Sequence, residues 1–288
     1  MQVKFWGTRG SVPTPGPSTT IYGGNTPTVE LSVSDGDKDW MLVLDAGTGI
    51  RSLGNELRAS ERDVCVDLLI THTHWDHIQG FPFFGPVFDK NSEIRILGPG
   101  QKQGVLEEVL RKQMDPVVFP VPLDGVAANL SVTQIEAGSF ELSGFEVDAS
   151  IVRHPGKTFG YRVRGANGGP DVAYVPDNEL GPGGDYDVEQ NWRKDFVKFL
   201  QGTELLIHDA MYLPDELPRH LGWGHSSNIE AVELAVEAGV KRLALFHHRP
   251  EHGDETVAAM CDAAKERAAS LDSQLEVFAA REGEVLTL

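Results

Sequence analysis

The stretch that most limits how this chain can fold is Val64-Cys65-Val66-Asp67-Leu68-Leu69-Ile70, which runs directly into Thr71-His72-Thr73-His74-Trp75-Asp76-His77. The first half reads as a buried strand. The second half packs three imidazoles and a carboxylate into the loop at its C-terminal end, where active-site residues favour sitting. Imidazole nitrogen and carboxylate oxygen suit zinc and related divalent ions, and sites that keep a coordination position open for water are catalytic. A lone histidine is usually a satisfied surface or core residue. Four potential ligands so close together, with Gly80 and Pro82 behind them, make a metal the better reading. The motif fixes a metal, not a substrate.

The same arrangement of apolar strand followed by ligand type recurs along the chain. The strand Phe145 to Val152 leads to His154, with Lys157 close by. Val172 to Val175 leads to Pro176-Asp177-Asn178-Glu179, Leu205 to Ile207 to His208-Asp209, and Leu243 to Phe246 to His247-His248. Between them, residues 2 to 6 read as an edge strand. Val29 to Val33 and Trp40 to Leu44 read as a hairpin around Ser34-Asp35-Gly36-Asp37. Helices are expected with Ile50, Leu53 and Leu57 on one face, and around Val105, Leu106, Val109 and Leu110. Further helices are expected after a capping Asp187, after Ser227 and Glu230 at capping-box spacing, and over Val257 to Leu271. Phe81 to Phe88 is mostly core, or one wall of a pocket. The loop from Gly7 to Thr26 is too long for a turn, and Arg9, Ser11 and Asn25 in it are candidates for holding an anion. His225 stands just ahead of a helix N-terminus, where anions are favoured.

With 288 residues, of which 40% are hydrophobic and 24% charged, the chain is expected to form one domain over residues 1–288. Cys65 and Cys261 read as small core residues with no disulfide framework. No leader or membrane-spanning segment is apparent, so a cytoplasmic protein without a membrane partner is expected. The formal charge of −18 weighs modestly against a large polyanion as substrate.

His72, His74, Asp76, His77, His154, Asp177 and His247 suffice for two metal ions sharing a bridging carboxylate. Such a pair lowers the pKa of a water between the ions and stabilises developing oxyanions, so the chemistry implied is hydrolysis. Phosphoesters fit because both attacking and leaving oxygens need charge neutralisation.

These residues resemble the metallo-β-lactamase superfamily, within it the ribonuclease Z and cyclic-phosphodiesterase branch, over nearly the whole chain. The resemblance rests on Asp45 after its strand, on His72-Thr73-His74-Trp75-Asp76-His77, on His154, on Asp177 in Tyr-Val-Pro-Asp, and on His247. It implies an α/β fold, an αββα sandwich of two mixed β-sheets flanked by helices. It also implies His72, His74 and His154 at one ion, Asp76, His77 and His247 at the other, and Asp177 bridging. Asp45 would be a buried residue behind the ligands or at a turn. His208-Asp209-Ala210 and Gly224-His225-Ser226-Ser227 resemble two further stretches of the branch. By that likeness Asp209 orients His225, and a protonated His225 acts as general acid.

Two departures are visible. The long basic, Gly-rich arm of the tRNA-processing enzymes is absent, with only Gly165 to Gly169 between two strands. Trp75 stands where those enzymes tend to have Gly, and could narrow the pocket or pack beneath it. The leading expectation is thus a zinc enzyme, with manganese or iron as alternatives, that hydrolyses a small or cyclic phosphodiester through a hydroxide between two ions. Alternatives are a carboxylic ester, lactone or β-lactam hydrolase on the same site, a ribonuclease, and a non-catalytic binding module. Nucleic acid is not the favoured partner, and a homodimer is possible from the resemblance. Arg9, Asn25 and Lys157 are candidate phosphate-binding residues.

Overall fold

Runs of aliphatic and β-branched residues form two seven-stranded sheets among the described residues, 1–35, 38–60, 63–102 and 104–288 of this computed structural model. The first sheet holds β1 (Gln2–Gly7), β2 (Thr28–Asp35), β3 (Lys38–Leu44), β4 (Cys65–Leu69), β5 (Glu93–Pro99), β6 (Asn129–Ile135) and β14 (Val285–Thr287). The second holds β7 (Gly138–Leu142), β8 (Phe145–Ile151), β9 (Phe159–Gly165), β10 (Asp171–Val175), β11 (Leu205–Asp209), β12 (Arg242–Phe246) and β13 (Glu276–Ala279). Their spatial orders are β14-β1-β2-β3-β4-β5-β6 and β13-β12-β11-β10-β9-β8-β7. Both are mixed: β3 to β6 are parallel, as are β10 to β13, and the remaining pairs are antiparallel.

Strand alternation sorts the apolar side chains into three layers. Phe5, Leu44, Tyr161, Tyr174, Ile207 and Phe246 lie between the sheets. Val66, Leu68, Ile94 and Ile96 face outward and are covered by α1 (Ile50–Ala59) and α3 (Leu106–Gln113). A single turn, α2 (Trp75–Ile78), lies between them in sequence. On the far side Leu206, Leu243 and Leu245 pack under α4 (Trp192–Leu200), α5 (Asn228–Glu237) and α6 (Asp254–Ser270). The layering is the expected αββα sandwich.

Some local expectations change. β1 is not an edge strand, because β14 pairs along its outer side through Gln2, Val3 and Lys4. β7 is additional; its exposed, polar sequence gives little strand signal. Asp187 does not cap α4. A tight turn bonds Val188 N to Tyr186 O, the helix starts at Trp192 after Asn191, and Asp187 pairs with Lys102 at the surface. Cys65 is exposed, since it is the first residue of β4 and burial starts after it, whereas Cys261 is buried in α6. The hairpin of β2 and β3 forms as expected, and residues 36–37 of its turn lie outside the described residues. The capping box of Ser227 and Glu230 is present. Among the described residues, no helix is long and apolar enough to cross a membrane.

Candidate metal centre

Asp45 follows β3, the run 71–77 follows β4, His154 follows β8, Asp177 follows β10, Asp209 ends β11 and His247 follows β12. The C-terminal ends of these strands meet at one edge of the sandwich, the place where open α/β sheets bind their ligands. There His72, His74, His154 and Asp177 bring imidazole nitrogens and a carboxylate oxygen within 4.8 Å of one another, and Asp76, His77 and His247 form a second such group. Asp177 faces both. Its Oδ2 lies 3.7 Å from His72 Nε2 and 3.5 Å from His154 Nε2. Its Oδ1 lies 3.1 Å from His77 Nε2 and 3.3 Å from His247 Nε2. All seven residues are thus brought together, buried except for His74, which leaves the cluster open on that side.

The residues fit divalent metal. His72 Nε2, His77 Nε2 and Asp177 Oδ1 are buried without a hydrogen-bond partner, within one cluster of imidazole nitrogens and carboxylate oxygens. Such an arrangement is costly unless a cation lies among the atoms. Imidazoles must be neutral to ligate, and burial pushes His72, His74 and His154 down, His154 to about 3. Burial would lower His77 too, but Asp76, Asp177 and Asp45 hold it well above its ordinary value. Burial opposes ionisation of Asp76 and Asp177, yet His77 beside the first and His247 beside the second keep both well below the usual carboxylate range.

The imidazole rings of the cluster are oriented from behind. Asp45 Oδ2 lies 2.7 Å from His77 Nδ1, so Nδ1 carries a proton and Nε2 turns into the site. Asp45 also accepts from Thr71 N, Thr71 Oγ1 and the Tyr174 hydroxyl. His154 Nδ1 donates to Gly224 O at 2.9 Å, leaving Nε2 for the cluster. Ser11 N donates to Asp76 Oδ2 at 2.8 Å.

Beside the cluster, His225 Nδ1 lies 2.7 Å from Asp209 Oδ2. Asp209 is fully buried and also accepts from the backbone of Asn178, Met211 and Ser226, so it is held rigidly. The His225 ring stacks on His247 with centroids 5.0 Å apart and meets His154 edge-on at 5.2 Å. Burial would depress its pKa, but the Asp209 charge and hydrogen bond push it up to about 9. The arrangement keeps a proton on a buried imidazole at the wall of the ligand cluster.

Other candidates are engaged elsewhere. Arg9 is fully buried and donates to the carbonyls of Gly23, Arg249 and His252, so it staples loops and cannot bind an anion. Asn25 bridges Glu282 and Thr48. Lys157 pairs with Glu136. Trp75 is 78% exposed, so it does not pack beneath the site. A groove of about 610 Å³ lined by Ser34, Trp40, Gly144 and Asn167 lies at the opposite ends of the strands, away from this chemistry. Thr71, Tyr174 and Gly224, which lie inside the motif stretches, gain roles that the sequence does not assign them: the first two hold Asp45 and the third orients His154.

Related proteins agree with this architecture. A ribonuclease Z of Natronomonas pharaonis is 26% identical over 286 aligned positions, covering 86% of each chain. The metallo-β-lactamase fold protein YhfI of Bacillus subtilis superposes with a TM-score of 0.68 at 18% identity, over 99% of both chains. A diphosphatase of the PhnP family gives a TM-score of 0.68 at 18% identity, over 100% of this chain and 97% of its own. Residues 40–248 match the family described as the beta-lactamase superfamily domain. With its two flanked sheets and its His and Asp cluster, the chain belongs to that superfamily, as a hydrolase of the metallo-β-lactamase fold.

Proposed function

We propose that the protein is a dinuclear metal-dependent phosphodiesterase acting on a small or cyclic phosphodiester. The observation that carries this reading is Asp177, whose two oxygens face two separate ligand groups with the Asp209 and His225 pair alongside. His72, His74 and His154 would hold one ion and Asp76, His77 and His247 the other. Zinc fits the donor set, as do manganese and iron. Bound ions would supply an acidified water and positive charge against the phosphoryl oxygens. The chain's own part is proton management. Asp209 fixes Nδ1 of His225, which leaves Nε2–H as the donor available to a leaving oxygen, as general-acid catalysis requires.

A ribonuclease is the second reading, favoured by the ribonuclease Z likeness. Against it stand the formal charge of −18 and the short β9 to β10 connection, which spans only residues 166–170. A screen of cyclic and linear phosphodiesters, a tRNA precursor and lactones, with zinc and with manganese, separates these readings. The expected result is phosphodiester turnover that falls by about a hundredfold or more in His225→Ala. Lactone turnover alone, or unchanged rates in Asp177→Asn, would refute the proposal.

A further inference from the structure

The carboxylate of Glu179 lies two residues beyond Asp177, fully buried, and neither the fold nor the proposed chemistry accounts for it. Its Oε2 accepts from Gly222 N at 2.8 Å, Gly224 N at 3.0 Å and the Tyr186 hydroxyl at 2.6 Å. Its Oε1 accepts from Gly184 N at 3.1 Å. Among the described residues no Lys, Arg or His forms an ion pair with it. Three N–H groups and one O–H group converge on the carboxylate and make it a rigid joint.

The loop it grips has two duties. Gly224 O accepts the Nδ1 proton of His154, which decides that Nε2 faces the cluster. The next residue is His225. Gly222 and Gly224 hold φ of +86° and +87°, and a Cβ on Gly224 would stand 2.1 Å from His154 Nδ1, so the loop passes against the imidazole with no slack. The other end of the joint is equally fixed. Glu179 N donates to Arg153 O at 2.7 Å, Asn178 N to Asp209 Oδ2 at 3.2 Å, and Ser226 Oγ to Asn178 O at 2.5 Å.

We infer that Glu179 is a positioning residue that clamps the Gly222–Gly224 loop to the Asp177 loop, and thereby sets His154 for metal and His225 for proton transfer. Its kinetic consequence rests on the proposed phosphodiesterase activity, and its metal consequence only on the proposed ligation by His154. Glutamine in its place keeps the shape and turns an N–H₂ group toward N–H donors. One oxygen then serves in place of two, so at least one of the four donors meets an N–H₂ group and the joint that holds Gly224 O and His225 loosens. Aspartate keeps the charge and loses the reach.

The test compares the parent protein with Glu179→Gln, Glu179→Asp and Tyr186→Phe, each checked for folding by circular dichroism. Zinc affinity is read by chelator competition, and kcat and KM with bis(p-nitrophenyl) phosphate. Folded Glu179→Gln is expected to lose about 10- to 100-fold in zinc affinity and in kcat with KM nearly unchanged, while Tyr186→Phe, which removes one bond of four, stays close to the parent. Glu179→Asp is expected to fall with Gln, because reach sets the loop. A parent protein inert on the diester would remove the phosphodiesterase reading while the zinc titration still reports on Glu179. Zinc affinity in folded Glu179→Gln within about twofold of the parent would overturn the inference. If the variants fail to fold, hydrogen exchange on the parent decides. Protected amides at Gly222 and Gly224 support the clamp, and exchange as fast as in an open loop rejects it.

Discussion

Asp45 has φ of +61°, a region that Asp and Asn tolerate better than most side chains. Asn at this position therefore leaves the backbone at ease and tests the side chain's charge and acceptor capacity. Asp45 faces donors on Thr71, His77 and Tyr174, and an amide cannot accept from all of them. Asp45→Asn is expected to destabilise the fold by about 1–3 kcal/mol, the cost of leaving buried donors unpaired. It should also weaken metal binding about 10- to 100-fold through His77, to be read by denaturant melts and by chelator competition. Asp209 acts on His225 in a different way. Its charge raises the His225 pKa, so Asp209→Asn should lower that pKa and move the alkaline limb of the kcat profile to lower pH. A limb that stays in place would show that His225 is not the acid.

Among the elements, α5 is the one whose start matters most, because it begins three residues after His225. Ser227 accepts from Glu230 N, and Glu230 in turn accepts from Ser227 N, satisfying two otherwise free N–H groups. Ser227→Ala should cost about 1 kcal/mol in denaturant unfolding. This helix start was legible in the sequence because capping chemistry is local. The gathering of the His and Asp residues was legible for a related reason: each sits just past an apolar strand, and strand ends gather at one edge once the sheets form. Arg9 was not legible. Its guanidinium satisfies carbonyls from residues 23, 249 and 252, and nothing near position 9 announces partners so distant in sequence. Glu179 was missed for the same reason, since two of its partners lie more than forty residues away, at Gly222 and Gly224. β7 escaped notice because an exposed edge strand has no buried face to impose a pattern.

At the scale of the whole molecule, the interior holds imidazoles that must stay neutral. His248 is buried beside Arg9 and donates to Ala280 O, and burial lowers its pKa to about 3. His208 is lowered by burial as well. A native state that refuses a proton which the unfolded chain accepts loses stability as pH falls below the unfolded value of about 6.5. For His248 that window extends down to about 3. Each such group contributes a slope of up to roughly 1.4 kcal/mol per pH unit. The melting temperature should therefore drop steadily below about pH 6.5, and His248→Gln should flatten the decline. The meeting of both sheets at Asp177 also bears on biosynthesis. Asp76 and His247 are 171 positions apart, yet their ligand atoms lie 3.0 Å from each other. A nascent chain still on the ribosome can display His72, His74, Asp76 and His77, but the cluster cannot be complete until β12 has emerged and docked. Completion of the cluster is then a late step of folding.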